Sequence, residues 1–352
     1  MALSTCFLST CYFAARLQLS HRSMFLGKAT AIAHANIAFI KYWGVRDAAR
    51  RLPTNNSLSM NLDTAYTTTT VEFAAGYGQD VVLLDGVEVA GRERARVVEH
   101  LDRVRARAGM ALPARVVSVN SFPTAAGIAS SASGFAALTV AACTAAGLHL
   151  SERELSVLAR LGSGSACRSV PGGFVEWQAG ESSEDSYAVS LFPPEHWDLR
   201  DVVAIVGGEA KAVSSTAGHA AAPGSPFFPA RLATLPERLA RLKAALAGRD
   251  FAAFAPLVEE EALSMHAVML TSRPAILYWA PGTVRLVQAV WAWRAAGLPV
   301  CFTIDAGPNV HVLCLPEAQA EVERRLHALA EVQSLLPCRP AGGTRLVEVQ
   351  QT

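Results

Sequence analysis

The sequence predicts an α+β protein of two domains, on three observations. Its 352 residues exceed the usual size of one domain. Hydrophobic residues make up 51% of the chain and charged residues 17%, a composition that can bury large cores and is unlike that of a disordered chain. Strand-like and helical segments both occur in each half. A polar, then Pro-rich stretch at 179–201 places the boundary, giving domains 28–195 and 196–352.

Charge and cysteine content restrict the function. The formal net charge is +1, so nothing favours nucleic acid or an anionic membrane surface as a partner. The seven Cys form no C-x-x-C pair and have no metal-ligand spacing. They are typical of reduced, buried thiols, so we expect a cytoplasmic protein, and we predict no metal site made by the protein alone.

The N-terminal segment differs in composition from the rest. The first acidic residue is Asp47, and residues 1–25 are rich in Ser and Thr with Arg16 and Arg22. This composition resembles that of a transit peptide. A simpler explanation is a tail that does not share the pattern of the folded domains. Another is a start site assigned upstream of the true one at Met24. We therefore expect residues 1–27 to be an extension outside the folded domains.

The first half is predicted to contain strands and one amphipathic helix before residue 120. The helix is indicated by apolar residues at helical spacing with charges opposite them. The strands are indicated by β-branched and alternating patterns. The predicted strands span 30–42, 66–73, 80–84 and 114–119, and the helix spans 94–107.

A loop of small residues follows the strand at 114–119 and leads into a helix. Pro123, Gly127 and the Ser cluster 130–133 precede an apolar stretch at 135–146. Small residues allow close backbone approach, and hydroxyls with free N–H groups at a helix start suit a phosphate. An ordinary N-capped helix after a flexible turn is the alternative. The charge-free run 116–151 contains a Pro and is largely Ala, so we expect a buried helix and not a membrane span.

The later elements are assigned in the same way. Ser151 and Glu154 form a capping box that opens a helix to Arg160. A second loop of small residues, 162–169, ends in Ser169. Further on we predict strands at 202–206 and 345–349, helices at 229–247, 251–267, 283–296 and 317–330, and a strand–turn–strand unit at 300–314.

Four motifs in order carry a family resemblance. The motif P-x-x-x-G-I-x-S-S-A at 123–132 resembles the phosphate-binding loop of the GHMP small-molecule kinases, and no Walker A loop occurs. The motifs N-I-A-x-I-K-Y-W-G with L-P-T-N-x-S-L-S, then G-S-G-S-A-C-R-S, then D-A-G-P-N resemble the diphosphomevalonate decarboxylase family within that group. The resemblance runs from about Ala29 to the C-terminus. It implies the two-domain GHMP kinase fold, with an N-terminal domain like ribosomal protein S5 domain 2 and a ferredoxin-like C-terminal domain.

The resemblance also implies an activity. The family uses ATP and Mg²⁺ to phosphorylate the 3-hydroxyl of a 5-phosphorylated mevalonate. It then expels phosphate and carbon dioxide, giving isopentenyl diphosphate for isoprenoid biosynthesis. A small-molecule substrate and a homodimer are the implied partners, with neither nucleic acid nor membrane involved.

Residue roles follow from the motifs. The resemblance makes Asp305 the base for the 3-hydroxyl, although an Asp before Gly and Pro is by default a turn former. It assigns Arg168 to the substrate carboxylate, where its planar fork suits a bidentate contact, and Lys41 to phosphate charge. The implied substrate-binding residues are Asn36, Tyr42, Ser163, Ser165, Arg168, Ser214 and Ser215. The implied ATP-binding residues are Pro123, Gly127, Ala129, Ser130, Ser131 and Ser133.

Two positions depart from the family pattern and leave the substrate open. Relatives acting on the diphosphate carry Lys where this chain has Val45, and some bacterial relatives carry Arg at Thr216. Losing one charged contact costs roughly 1.5–3 kcal/mol, so mevalonate 5-phosphate is an alternative substrate. Arg46 or Arg51 could supply the missing cation. A 3-kinase without decarboxylation and a non-catalytic GHMP-fold binding protein are less favoured, because Asp305 and the other motifs are intact.

Overall fold

The computed structural model of the chain describes residues 25–122, 130–207 and 213–351. The first half contains strands β1 (Phe25–Ile40), β2 (Val45–Asp47), β3 (Leu52–Pro53), β4 (Ser57–Ala74), β5 (Val81–Leu84), β6 (Val87–Glu88), β7 (Ala114–Asn120), β8 (Phe174–Trp177) and β9 (Ala188–Phe192). Its helices are α1 (Gly91–Ala108), α2 (Ser130–Ala145) and α3 (Glu152–Gly162).

The second half adds strands β10 (Arg200–Ile205), β11 (Val300–Thr303), β12 (Val310–Cys314), β13 (Ser334–Cys338) and β14 (Arg345–Gln351). Its helices are α4 (Ser215–Ala221), α5 (Phe228–Gly248), α6 (Phe251–Thr271), α7 (Pro281–Ala295) and α8 (Gln319–His327). The predicted α+β class is confirmed by these elements.

Two sheets organise the molecule. The larger has the order β14-β1-β4-β7-β5-β6, with β8 pairing the first part of β4 and β9 pairing β8. The smaller has the order β11-β12-β10-β13. Helix α2 lies on β1 and β4, where Ala31, Ala33, Ala137 and Ala141 are fully buried in one core. These small side chains let the helix approach the sheet closely, so its N-terminus is held in a fixed place.

Helix α6 joins the two sheets. It packs against both β1 and β11, and Phe254 of α6 meets Phe39 of β1 edge-to-face with ring centroids 5.0 Å apart. Such aromatic pairs add to the stabilisation from burial alone. The ends of β1 and β11 are thereby brought together, and both carry residues of the site described below.

Several element bounds correct the sequence prediction. Strand β1 begins at Phe25 and pairs with β4 from there, so residues 25–27 belong to the sheet and not to an extension. The strand ends at Ile40, before Lys41. The predicted helix at 317–330 is a 3₁₀ turn, Pro316–Ala318, followed by α8. Strands β2, β3, β6, β8 and β13 and helix α4 were not predicted as elements.

Strand β14 corrects the predicted domain arrangement. It was placed in the C-terminal domain, 196–352, yet it pairs antiparallel with β1 at the edge of the large sheet, with Val349 opposite Ala29. Long-range pairing of this kind depends on which sheet edge is open, which no local pattern reports. The last strand, β14, therefore belongs to the large sheet of the first domain.

Helix α2 lies in the charge-free run and is buried between the sheet and the other helices of the first half. Among the described residues, no helix has both the length and the apolar character needed to cross a bilayer. The expectation of a buried helix at this position is confirmed.

Candidate active site

Lys41 and Asp305 form an ion pair between the two halves of the chain. Lys41 follows the end of β1, Asp305 follows β11, and Lys41 Nζ lies 2.7 Å from Asp305 Oδ1. The Lys41 side chain is 1% exposed and that of Asp305 is 32% exposed. The Asp305 carboxylate is therefore accessible to a ligand, whereas the Lys41 ammonium is buried.

The charges around Asp305 keep its carboxyl ionised. Burial alone would raise its pKa, but Lys41, His311 and Arg168 together outweigh burial, and the pKa of Asp305 lies below its ordinary value of 3.8. Burial lowers the pKa of Lys41, and the charge of Asp305 opposes that shift. The pair is thus an ionised carboxylate held by a buried ammonium, ready to accept a proton.

A buried carboxylate on α6 fixes the backbone at Lys41. Glu261 is fully buried and accepts a hydrogen bond from the backbone N–H of Lys41 at 3.2 Å. Its oxygens also pair with Arg231, and with Arg238 at 2.6 Å. Arg231 in turn donates to the carbonyl of Lys41 at 3.1 Å. Both polar groups of the Lys41 backbone are therefore bound by one ion-pair network.

Arg168 is a buried cation held by neutral groups. Its Nε and Nη2 donate to Asn36 Oδ1 at 3.2 and 3.1 Å, and Nη1 donates to Ser57 Oγ at 2.8 Å. A guanidinium has five N–H groups, so these three bonds leave two to bind an anion. Asn36 also donates to Ser169 Oγ at 2.8 Å, which fixes its own orientation. Asn36 thus positions Arg168, a role that the motif alone did not reveal.

Tyr42 contacts two aromatic rings near Arg168. It lies edge-on to Trp177 with centroids 4.7 Å apart, and His219 of α4 lies over it at 4.1 Å. A Cβ on Gly164 would come within 2.6 Å of the Tyr42 ring, so only glycine allows this contact. Burial raises the pKa of Tyr42 well above its ordinary value. Its phenol therefore stays protonated and can donate a hydrogen bond.

The hydroxyls of two loops meet at the start of α2. Ser163 Oγ donates to Ser131 Oγ at 3.3 Å and lies 3.5 Å from Ser165 Oγ. Ser130 is the first residue of α2, and Ser130 and Ser131 are both partly exposed. The N-terminus of this 16-residue helix offers N–H groups and a favourable dipole for a phosphate. The predicted nucleotide and substrate loops are therefore adjacent.

Ser133 lies one turn into the helix that begins at the serine loop. It is fully buried, its Oγ lies 2.6 Å from Thr67 Oγ1, and it also donates to the carbonyl of Ser130. These contacts attach α2 to the sheet, and the ATP contact of Ser133 stays a prediction.

Ser214 and Ser215 lie at the start of α4. Ser214 is the N-cap of that helix and accepts a hydrogen bond from the N–H of Ala217. Gly218 lets α4 lie against Trp43, because a Cβ there would be 2.5 Å from the indole. Both serines are thus on the element that carries His219 over Tyr42, and no hydrogen bond within the described part of the chain joins them to Lys41, Asp305 or Arg168.

Three predicted ATP residues, Pro123, Gly127 and Ala129, lie outside the described residues. Among those that the structure describes, no group of three or more His, Cys, Asp and Glu side chains is arranged to hold a metal ion. A Mg²⁺ that arrives on nucleotide phosphates needs only one or two protein ligands, so the site fits a nucleotide-borne metal better than a protein-made one.

Sequence reasoning missed several residues of the site. Glu261, Arg231 and His219 lie in no motif, and their partners are far away in the chain. Glu261 and Arg231 follow ordinary helical patterns, so no local signal distinguishes them. Gly164 lies within a recognised motif, but its reason for being glycine, the Tyr42 ring, appears only in three dimensions.

The fold and site define a class. Two sheets joined by helix α6, serines at the N-terminus of α2, and a Lys41–Asp305 pair near Arg168 are features of the GHMP kinase fold. The family described as "Diphosphomevalonate decarboxylase-like N-terminal domain" matches residues 33–188, and "Mevalonate 5-diphosphate decarboxylase C-terminal domain" matches residues 201–341. The chain belongs to the diphosphomevalonate decarboxylase family.

Individual relatives agree with this assignment. Diphosphomevalonate decarboxylase mvd1 of Aspergillus fumigatus is 42% identical over 84% of this chain and 78% of the relative. Phosphomevalonate decarboxylase of Haloferax volcanii is 37% identical over 84% of this chain and 91% of the relative.

Solved structures agree as well. Mevalonate diphosphate decarboxylase of Staphylococcus aureus superposes with a TM-score of 0.89 at 39% identity, covering 92% of this chain and 99% of that chain. The complex of MDDEF with MVAPP, AMPPCP and magnesium superposes with a TM-score of 0.86 at 40% identity and the same coverage.

Proposed function

We propose that the protein catalyses the ATP-dependent decarboxylation of mevalonate 5-diphosphate to isopentenyl diphosphate, with release of ADP, phosphate and carbon dioxide. The observation that carries the proposal is the pairing of Lys41 with Asp305 at 2.7 Å beside the buried Arg168. A base and a carboxylate-binding cation are thus available at one place. The start of α2 lies at the neighbouring loop, where a nucleotide phosphate fits.

ATP with Mg²⁺ supplies the phosphoryl group and neutralises its charge during transfer. Ser130, Ser131 and the first N–H groups of α2 would bind the nucleotide phosphates. Asp305 accepts the proton of the tertiary 3-hydroxyl as the hydroxyl oxygen bonds to the γ-phosphorus of ATP. The bond from that phosphorus to the bridging oxygen breaks, so ADP leaves and the 3-phosphate forms. The lowered pKa keeps Asp305 in the ionised form, which is the form that can accept the proton. Lys41 neutralises negative charge at the same point.

Arg168 acts in the second half of the reaction. The bond between the substrate's carboxylate carbon and the adjacent methylene breaks, and its electron pair forms the new double bond as the 3-phosphate leaves with the C–O bond electrons. The two unused N–H groups of Arg168 orient the carboxylate until it departs as carbon dioxide. Because Asn36 and Ser57 are neutral, they keep the guanidinium in position without competing with the substrate's charge.

Mevalonate 5-phosphate is the second candidate substrate. Val45 and Thr216 supply no cation at positions where relatives have one, and the Haloferax volcanii relative is a phosphomevalonate decarboxylase. Val45 is in β2, with its backbone paired opposite Pro53. The choice between the two substrates depends on whether another cation takes the place of the missing one.

The experiment is an end-point assay with ATP and Mg²⁺. Mevalonate 5-diphosphate and 5-phosphate are supplied separately, and ADP and carbon dioxide are measured in equal samples. The proposal requires one carbon dioxide for each ADP. ADP without carbon dioxide would show a kinase that stops at the 3-phosphate, and neither product would show a binding protein.

A cytoplasmic location and a homodimer remain proposals of the same kind. Five thiols in the described residues, Cys143, Cys167, Cys301, Cys314 and Cys338, are unpaired and buried. Unpaired thiols support a reducing compartment. The homodimer rests on the family resemblance, and size-exclusion chromatography with light scattering would test it.

A further inference from the structure

The turn between β2 and β3 presents a cation without a partner. Arg51 adopts a left-handed backbone conformation with φ of 51° and is partly buried. Within the described parts of the chain, its guanidinium takes part in no hydrogen bond or ion pair. A partly buried charge normally has a counter-charge or several hydrogen bonds, so an unpaired one indicates a ligand of opposite sign.

The turn is anchored beside the serine loop. Arg160 of α3 donates through Nε to the carbonyl of Arg50 at 3.2 Å, so the residue just before Arg51 is fixed to that helix. Helix α3 ends at Gly162, immediately before Ser163. Arg96 of α1 donates to the Gly162 carbonyl at 3.4 Å. Arg51 and Arg96 are therefore both attached to the end of α3 from which the serine loop departs.

The positive charge of Arg51 acts on Arg96. Burial lowers the pKa of Arg96, and the charge of Arg51 is the next largest cause. Burial also lowers the pKa of Arg51. Glu99, whose negative charge acts on both arginines, is already paired with Arg103. An anion placed here would remove an unfavourable interaction as well as add a favourable one.

Arg51 is on the turn that follows Gly44 and β2, and Gly44 donates to His219, whose ring centroid lies 4.1 Å from that of Tyr42. The charges that act on Arg51 are those of Tyr42, Arg103 and Glu99. Arg51 and Arg168 both act on Tyr42, and Arg168 acts on Asp305, so a substrate whose hydroxyl reaches Asp305 can extend past Tyr42 toward Arg51.

His219 supplies a neutral donor on the same side. Its Nδ1 accepts a hydrogen bond from the backbone N–H of Gly44 at 3.0 Å, so its proton is on Nε2. Burial and neighbouring arginines, including Arg51, lower its pKa to about 3, which keeps the ring neutral. Its N–H is therefore available as a hydrogen-bond donor near the terminal group of a ligand.

Arg46, the other candidate cation near this turn, already has hydrogen-bond and ion-pair partners. Arg46 is exposed, and its guanidinium donates to the carbonyl of Gly180 and pairs with Glu181 at 3.4 Å. It therefore cannot turn toward Tyr42 without losing both contacts. The sequence left Arg46 and Arg51 as equal alternatives, and their contacts distinguish them.

We propose that Arg51 binds the phosphate of the substrate farthest from the reacting carbon and so selects the diphosphate over the monophosphate. The inference rests on the proposed function for the identity of the substrate. It assigns to the β2–β3 turn the contact that Val45 does not make. A monophosphate ends before Arg51, so the residue contributes little to its binding.

The test compares Arg51→Asn with Arg46→Asn. Asparagine removes the charge yet tolerates a positive φ, so the turn conformation is kept. We expect Arg51→Asn to raise KM for mevalonate 5-diphosphate about 10–100-fold, the effect of one charge-assisted contact. The kcat should change less than about threefold, as should both constants for mevalonate 5-phosphate. Arg46→Asn should leave all four constants near wild type, and Arg51→Lys should restore part of the affinity.

Binding of inorganic pyrophosphate gives a readout that does not need turnover. Calorimetry should show weaker pyrophosphate binding to Arg51→Asn than to wild type or Arg46→Asn, with melting temperatures unchanged. The inference would be overturned if Arg51→Asn raised KM equally for both substrates or left KM for the diphosphate unchanged. It would also be overturned if Arg46→Asn had the larger effect. A wild type that turns over neither substrate, while Arg51→Asn weakens pyrophosphate binding, would refute the proposed function and support the phosphate site.

Discussion

The carboxylate of Glu261 accepts a hydrogen bond from the backbone N–H of Lys41 across 220 residues of sequence. Glu261 is on α6 in the second half of the chain, and Lys41 follows the first strand. Lys41, to which we assign a role in catalysis only as a proposal, is therefore positioned by the packing between the two halves. The activity and the folding of the interface should respond together to changes at Glu261.

The first prediction concerns that network. Glu261→Gln should reduce the free energy of unfolding by about 3–5 kcal/mol, because Arg231 and Arg238 remain buried with too little opposing charge. Urea denaturation measures the change. Glu260→Gln is the matched control, since Glu260 also pairs with Arg238 but is exposed, and its loss should cost less than about 1 kcal/mol. Equal effects of the two substitutions would contradict the positioning role.

The second prediction isolates the proposed base. Asp305→Asn keeps the size of the side chain but cannot accept the hydroxyl proton. It should lower kcat at least about 10²-fold while KM for ATP and for substrate stays within about tenfold. Steady-state kinetics with release of ADP measures this. Near-normal turnover would remove Asp305 from the mechanism.

The third prediction concerns Arg168. Lysine keeps the charge at this position, but it cannot contact Asn36 and Ser57 while also presenting two parallel N–H groups. Arg168→Lys should therefore lower kcat/KM at least about 10²-fold. Arg160→Lys is a useful comparison, because Arg160 is equally buried but contacts backbone carbonyls of the fold. It should act on stability more than on kcat, and a wild-type kcat/KM for Arg168→Lys would make Arg168 a structural residue.

The sequence predicted most helices and strands because their patterns are local. The capping box at Ser151 and Glu154 is one example, since both reciprocal hydrogen bonds are present. It did not predict that β14 pairs with β1, or that β1 begins at Phe25, since both depend on which sheet edge is open. Pairing across hundreds of residues leaves no local signal.

The candidate site also combines features that the sequence predicted with features that it did not. Lys41, Asp305 and Arg168 lie in motifs; the structure pairs Lys41 with Asp305, and the charge of Arg168 acts on Asp305. Ser133 lies in a motif too, yet its buried hydroxyl contacts the sheet. Motif membership thus does not say which way a side chain points. Glu261 and His219, which position Lys41 and cover Tyr42, come from helices with no distinguishing pattern.

The fourth prediction uses the sign of the Asp305 shift. The carboxyl pKa lies below 3.8 because Lys41, His311 and Arg168 outweigh burial. The proton-accepting form therefore already predominates at pH 3.8, and activity that depends on it is lost only as pH falls through the lowered pKa. Lys41→Met removes the nearest cation and leaves burial, which raises the pKa. The acid limb of the residual kcat/KM should then move to higher pH.

The pH profile of Lys41→Met separates this electrostatic role from others. Lys28→Met is the control, since Lys28 pairs with Glu348 on the sheet edge at 3.8 Å and should leave the profile unchanged. Carbon-13 NMR of the Asp305 carboxyl should show the same upward shift of its pKa without reference to turnover. If Lys41→Met lowers kcat but the acid limb and the carboxyl titration stay in place, Lys41 acts on the transferred phosphate alone, and the ion pair does not set the ionisation of Asp305.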